Sequence, residues 1–121
     1  MLINLSNHPF EKWSIPQLEA AEKYGTIIDL AFPIVDPMAD SFQINNLAED
    51  YFLQIVAIIM RNSEGYHAVH IMGELTFCFL LVQKLHSNGI MCVASTTERN
   101  VVEENNFKTT EFQFCRFRQY L

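Results

Sequence analysis

Apolar positions along this chain follow two periods in alternation. Leu2 to Leu5, Thr26 to Phe32, Ala68 to Ile71 and Ile90 to Ala94 are short runs rich in apolar and β-branched residues. They are closed by Asn7 and Pro9, by Pro33, by Met72-Gly73-Glu74 and by Ser95, a pattern that predicts strands. Between them the spacing turns helical. Ser14 ahead of Pro16, Gln17, Leu18 and Glu19 reads as a helix start, with Leu18, Ala20, Ala21 and Tyr24 on the apolar face and Gly25 as the stop. From Ser41 to Arg61, Ile44, Leu47, Ala48, Tyr51, Phe52, Ile55, Ile58 and Ile59 recur at helical spacing, and Asn62-Ser63-Glu64-Gly65 ends the segment. Glu74 to Ser87 repeats the pattern, with Leu75, Phe79, Val82 and Leu85 on one face, Cys78 and Leu81 widening it, and Asn88-Gly89 closing it. A helix apolar almost all round is expected to lie between the sheet and a second protein surface, which makes it the candidate subunit interface.

After the fourth strand, Ser95 to Arg99 reads as a polar tip and Asn100 to Asn106 as a polar connection. Thr110 to Phe117 then alternates, with Phe112, Phe114 and Arg116 on one face and Glu111, Gln113, Cys115 and Phe117 on the other. The link before it is too short for a helix, so this last strand is expected to return antiparallel. The order β-α-β-α-β-α-β-β predicts the α/β class. It fits a three-layer α/β/α Rossmann-like sandwich around a mainly parallel five-stranded sheet of order 2-1-3-4-5.

Composition narrows the picture. With 121 residues, half of them apolar, the chain fits one domain over residues 1–121. Charged residues are 18% of the chain and Phe occurs ten times, so disorder is not expected and some apolar surface suits a partner subunit. A net charge of −6 argues against duplex nucleic acid as a partner, yet leaves room for a small anionic ligand held by a few N–H groups and one or two cations. Cys78, Cys92 and Cys115 are odd in number and lack metal-type spacing, as expected of buried free thiols in a reducing cytosol. Met1 is followed too soon by Ser6-Asn7-His8-Pro9 for a signal peptide, and the longest strongly apolar run, Ile55 to Met60, falls short of a membrane span. A soluble, cytoplasmic protein without a membrane partner is expected.

Three polar stretches carry the candidate chemistry. Ser6-Asn7-His8 follows the first strand, Gly73-Glu74-Leu75-Thr76 the third, and Ser95 to Arg99 the fourth. Strand ends flanking a switch point bracket a ligand crevice in such folds. Gly73 would let backbone approach a ligand near free helix N–H groups, although Glu74 competes with an anion there; a plain turn explains the same residues. His8 suits a phosphate contact or acid–base work, or equally an exposed loop. Ser95, Thr96 and Thr97 offer hydroxyls and Arg99 a bidentate phosphate contact; the same residues suit a hairpin flank with Arg99 pairing Glu98, Glu103 or Glu111. Lys12 and Trp13 near the first tip offer a cation and a stacking surface, or equally a loop anchored by tryptophan burial. His70 and His67 fit packing roles. No phosphate loop, Rossmann glycine triplet, serine elbow, histidine metal pair or cofactor motif is present, so neither a metal nor a cofactor is expected.

The stretches Asn4-Leu5-Ser6-Asn7-His8-Pro9, His70-Ile71-Met72-Gly73-Glu74-Leu75-Thr76-Phe77 and Cys92-Val93-Ala94-Ser95-Thr96-Thr97-Glu98-Arg99 resemble small stand-alone CRISPR-associated proteins of the Rossmann-fold (CARF) group. The resemblance spans nearly the whole chain. It implies a homodimer that binds cyclic oligoadenylate across its two-fold axis, and an activity like that of the ring nucleases that cleave this messenger in type III antiviral signalling. It further implies metal-independent attack of a ribose 2′-hydroxyl on the adjacent phosphate. Arg99 would clamp phosphate, His8 would serve as acid or base, and Ser6, Asn7, Gly73, Thr76, Ser95 and Thr96 would position the ligand. A noncatalytic cyclic-nucleotide-binding module and an unrelated α/β enzyme acting on a nucleotide or phosphate ester are the alternatives.

Overall fold

The β-branched and leucine-rich runs pair as strands because each buries side chains on both faces. The computed structural model describes residues 1–62 and 65–121, so Ser63 and Glu64 of the expected stop after the long helix lie outside the described residues. Strands β1 (Leu2–Ser6), β2 (Ile27–Asp29), β3 (Ala68–Met72), β4 (Met91–Glu104) and β5 (Phe107–Gln119) alternate with helices α1 (Ile15–Glu22), α2 (Ser41–Arg61) and α3 (Leu75–Ser87). A single 3₁₀ turn, Phe10–Lys12, precedes α1. The five-stranded sheet has the order β2-β1-β3-β4-β5. Its first three pairings are parallel and the β4–β5 pairing is antiparallel.

Alternation along the strands divides the interior in two. Ile3, Leu5, Val69, Ile71 and Cys92 join Ile44, Ala48 and Ile55 of α2 and Phe77, Cys78, Leu81 and Leu85 of α3 in one buried cluster. Leu2, Ala68 and Val93 join Trp13 and Ala21 of α1 in a second.

The long helix begins where Asp40 and Gln43 cap one another. Asp40 Oδ1 accepts from Gln43 N and Gln43 Oε1 accepts from Asp40 N, each at 2.8 Å, which satisfies two donors at the helix start. Strand β2 is shorter than the expected run from Thr26 to Phe32. Beyond Asp29, the Ala31 carbonyl is taken by Tyr51 Oη at 3.1 Å, and Pro33 has no N–H to give. On α3 the buried side is Phe77, Cys78, Leu81 and Leu85, whereas Leu75 and Phe79 point outward with 82% and 62% exposure. Its exposed apolar surface is therefore a narrow stripe rather than the whole circumference.

The main correction concerns β4. Ser95 to Arg99 is not a tip and Asn100 to Asn106 is not a loose connection, because β4 runs on to Glu104 and pairs with β5 from Val93 onward. Only Asn105 and Asn106 turn the chain, both with positive φ, as asparagine tolerates. The outcome is a long two-stranded ribbon in which every residue from Val101 to Gln113 is exposed. A bulge interrupts its register: Thr96 pairs with Arg116 and Thr97 with Phe114, leaving Cys115 as the extra residue on β5. That insertion shifts the phase of alternation, so Phe117 joins the face of Phe112 and Phe114 instead of opposing them.

Candidate active-site cleft

A cleft of about 610 Å³ opens at the carboxyl ends of β1 and β3, on the sheet face that carries α1. Its walls come from the β1–α1 segment, including Ser6, Asn7, His8, Lys12 and Trp13, and from Met72 and Gly73 after β3. The strand residues His70, Ser95 and Thr97 and the aromatics Phe112 and Phe114 of the ribbon complete it.

Two polar side chains sit in the middle of apolar strands and organise this cleft. Asn4 and His70 are directly opposed in the β1–β3 register and are 1% and 2% exposed. Such burial is tolerable only with full hydrogen bonding, and Asn4 achieves it. Its Nδ2 donates to the His8 carbonyl at 2.8 Å and to Asp29 Oδ1 at 2.9 Å, while its Oδ1 accepts from Ser6 Oγ at 2.8 Å and faces His70 Nδ1 at 2.9 Å. Both acceptors on the amide side fix the orientation of the Asn4 side chain, so His70 Nδ1 must carry the proton. The other ring nitrogen, Nε2, lies 3.2 Å from Ser95 Oγ. Ser95 Oγ also lies 2.8 Å from Met72 Sδ, a weaker acceptor than a bare imidazole nitrogen.

Burial pushes the His70 pKa down to about 4, so the ring is neutral at physiological pH. Trp13 and Phe117 hold it by edge contacts, with ring centroids 5.2 and 5.4 Å away. Trp13 Nε1 donates to the His8 carbonyl at 3.1 Å, so one main-chain oxygen accepts from both Asn4 and Trp13. The neutral Nε2, with an orienting amide behind it and a hydroxyl in front, is arranged to accept a proton.

The structure brings Ser6, Asn7, His8, Gly73 and Ser95 of the candidate residues into this cleft, together with Lys12 and Trp13. It does not bring in Thr76, Thr96 or Arg99. Thr76 is tied to Glu74, whose carboxylate accepts from Thr76 Oγ1 at 2.7 Å, Thr76 N at 3.1 Å and Phe77 N at 2.8 Å. Those bonds, led by the one from Phe77, hold the Glu74 carboxyl below the usual range. The Thr76 and Phe77 N–H groups at the start of α3 are thereby taken by Glu74. Thr96 Oγ1 donates to the Arg116 carbonyl at 3.1 Å across the bulge. Arg99 stands opposite Phe112, one step outward from Thr97 on the same side of β4. Among the described residues Glu103 pairs with Lys108 at 3.6 Å, and no ion pair involves Arg99.

Gly73 has a steric role beyond the one expected of it, since a Cβ there would overlap the Phe32 ring. His8 is exposed, and its carbonyl rather than its imidazole joins the network. His70 and Asn4, which the structure sets at the cleft, carry little signal in the sequence because each interrupts an apolar run by a single polar residue. The available signal was that the two interruptions fall at matching places in strands that pair.

The chain belongs to the uncharacterized protein MJ1673 family, whose model matches residues 1–118. No curated protein and no solved structure matches it. No helix among the described residues is long and apolar enough to cross a membrane.

Proposed function

We propose that this chain binds cyclic oligoadenylate and cleaves it without a metal, as a cytoplasmic, CARF-like ring nuclease of type III CRISPR signalling with a three-layer α/β/α domain. The observation that carries the reading is the cleft, which combines a cation at Lys12, hydroxyls at Ser6 and Ser95, a neutral imidazole at His70 and aromatic walls at Trp13, Phe112 and Phe114. Phosphate, ribose and base each find a suited partner in that set, since aromatic side chains stack bases and cations neutralise phosphate. A cleft of about 610 Å³ suits a drug-sized ligand and so takes part of a ring. The remainder would occupy the cleft of a second protomer, which is why the reading includes a homodimer. The outward stripe of Leu75 and Phe79 on α3 supplies apolar surface for one.

Within this reading Lys12 holds a phosphate inside the cleft, and Arg99 holds one at the mouth, beside Phe112. Incubation of the purified protein with rings of three to six adenylates in EDTA tests it. Linear products ending in a 2′,3′-cyclic phosphate are expected, with cleavage slowed at least tenfold by K12A and less by R99A. Rings that stay intact at high enzyme concentration overturn the nuclease. If those rings still raise the melting temperature, the chain is a binding module; if only another phosphate ester does, it acts on a different nucleotide.

A further inference from the structure

We propose that His70, acting through Ser95, is the proton acceptor for the attacking ligand hydroxyl, and that Asn4 is the positioning residue that fixes its tautomer; this rests on the nuclease reading above. Every polar atom of the Asn4 side chain has a partner. Both of its amide protons are committed, to the His8 carbonyl and Asp29 Oδ1, and its oxygen is left to face Nδ1 of His70. A neutral imidazole with Nδ1 protonated has its lone pair on Nε2. That atom is 3.2 Å from Ser95 Oγ, and both His70 and Ser95 line the cleft. Base and hydroxyl are thus in the geometry in which a proton is relayed, with the base oriented by a third group.

A covalent serine intermediate is the competing use of the same trio; on the nuclease reading the nucleophile is the ribose 2′-hydroxyl, so the relay serves a hydroxyl that belongs to the ligand. In the step, the ribose 2′-hydroxyl passes its proton to Ser95 Oγ as Ser95 passes its own to His70 Nε2. The 2′-oxygen forms a bond to the adjacent phosphorus, and the bond from phosphorus to the 5′-oxygen breaks. That 5′-oxygen takes a proton from water, and the imidazolium returns one to water, so the ring opens to a 2′,3′-cyclic phosphate and a 5′-hydroxyl with no net change in protons.

The charged and titratable groups around the ring are Asp29 of β2, reached through Asn4, and His8 and Lys12 of the β1–α1 segment. From β4 and β5 it meets Ser95 and Phe117. A base desolvated in this way stays unprotonated through the neutral range, so the rate should be flat above about pH 5 and fall on the acid side with an apparent pKa near 4.

Two measurements test the proposal. Long-range proton–nitrogen NMR of the free protein should find His70 neutral with Nδ1 protonated at pH 7; an Nε2-protonated ring or an imidazolium overturns the proposal without reference to any ligand. For cleavage, H70Q should lose about a hundredfold or more in kcat and lose the acid limb, with KM little changed. S95A, which disturbs packing less, should lose at least tenfold and keep that limb. The N4D/D29N double variant exchanges carboxylate and amide, setting a negative charge against Nδ1, and should move the acid limb upward by about one pH unit. A purely structural role for Asn4 would leave the limb where it is. Wild-type cleavage that H70Q and S95A retain in full overturns this inference and leaves the nuclease standing, whereas a wild type that opens no ring overturns both.

Discussion

Strands β1 and β3 present two faces built from alternate residues of the same short segments, and the faces are opposites. On one, Ile3, Leu5, Val69 and Ile71 meet α2 and α3, helices of 21 and 13 residues. On the other, Leu2 and Ala68 flank Asn4 and His70 beneath α1, a helix of eight residues, with Trp13 and Phe117 as the remaining cover. The first face derives its stability from the area of apolar surface removed from water. The second buries two polar side chains, which is tolerable only while every donor and acceptor has a partner. A sheet that is robust on one side can therefore hold a chemically specified but less forgiving arrangement on the other.

The largest effect should come from the robust face. Phe77 is fully buried with edge contacts to Phe32 and Tyr51 at centroid distances of 5.2 and 5.4 Å. F77A should lose about 3–5 kcal/mol in urea unfolding, while the His70 NMR signals of the folded fraction keep their tautomer. A changed tautomer would show that the two faces are not independent.

Next in size is acid destabilisation from the polar face. His70 has its pKa lowered from 6.5 to about 4 by burial, so between those values the folded state binds fewer protons than the unfolded chain. The contribution is complete above about pH 6.5 and is lost as pH falls toward 4, to a full size of roughly 3 kcal/mol. Urea unfolding of wild type and H70Q across that window should show a steeper acid loss in the wild type, and parallel curves would contradict a neutral buried ring. The smallest effect belongs to the seam between the faces. Gly73 lines the cleft, yet its missing Cβ makes room for Phe32, which packs in the apolar cluster. G73A should cost about 1–3 kcal/mol; a ligand affinity lost without any loss of stability would place Gly73 on the cleft side alone.

The sequence disclosed the frame because its periods are strong. The strand order follows from the sequence of elements with right-handed crossovers, the antiparallel last pair from the short link before Thr110, and α2 from the helical spacing that begins at Ser41. The ribbon was partly legible: Thr110 to Phe117 alternates as a strand and Ser95 to Arg99 suits a hairpin flank as well as a ligand-binding tip, because a largely polar, exposed strand is indistinguishable by period from a loop. Its remaining signals were the threonines and valines around the Asn105-Asn106 pair. The cleft was half legible. Ser6 to His8 and Gly73 were found from their positions after strands, whereas Asn4 and His70 resembled defects in apolar runs until pairing set them side by side. The bulge at Cys115, which turns Phe117 inward, has no signature in the alternation it disrupts.

That bulge also separates the three thiols. Burial pushes the pKa of Cys78 to about 11 and of Cys92 to about 12, and both are enclosed, whereas Cys115 is exposed where the ribbon leaves the sheet. An alkylating dye or nitroxide should thus attach at a single native position, and its emission or spin mobility would report whether the base of the ribbon responds to a ligand, with no engineered cysteine.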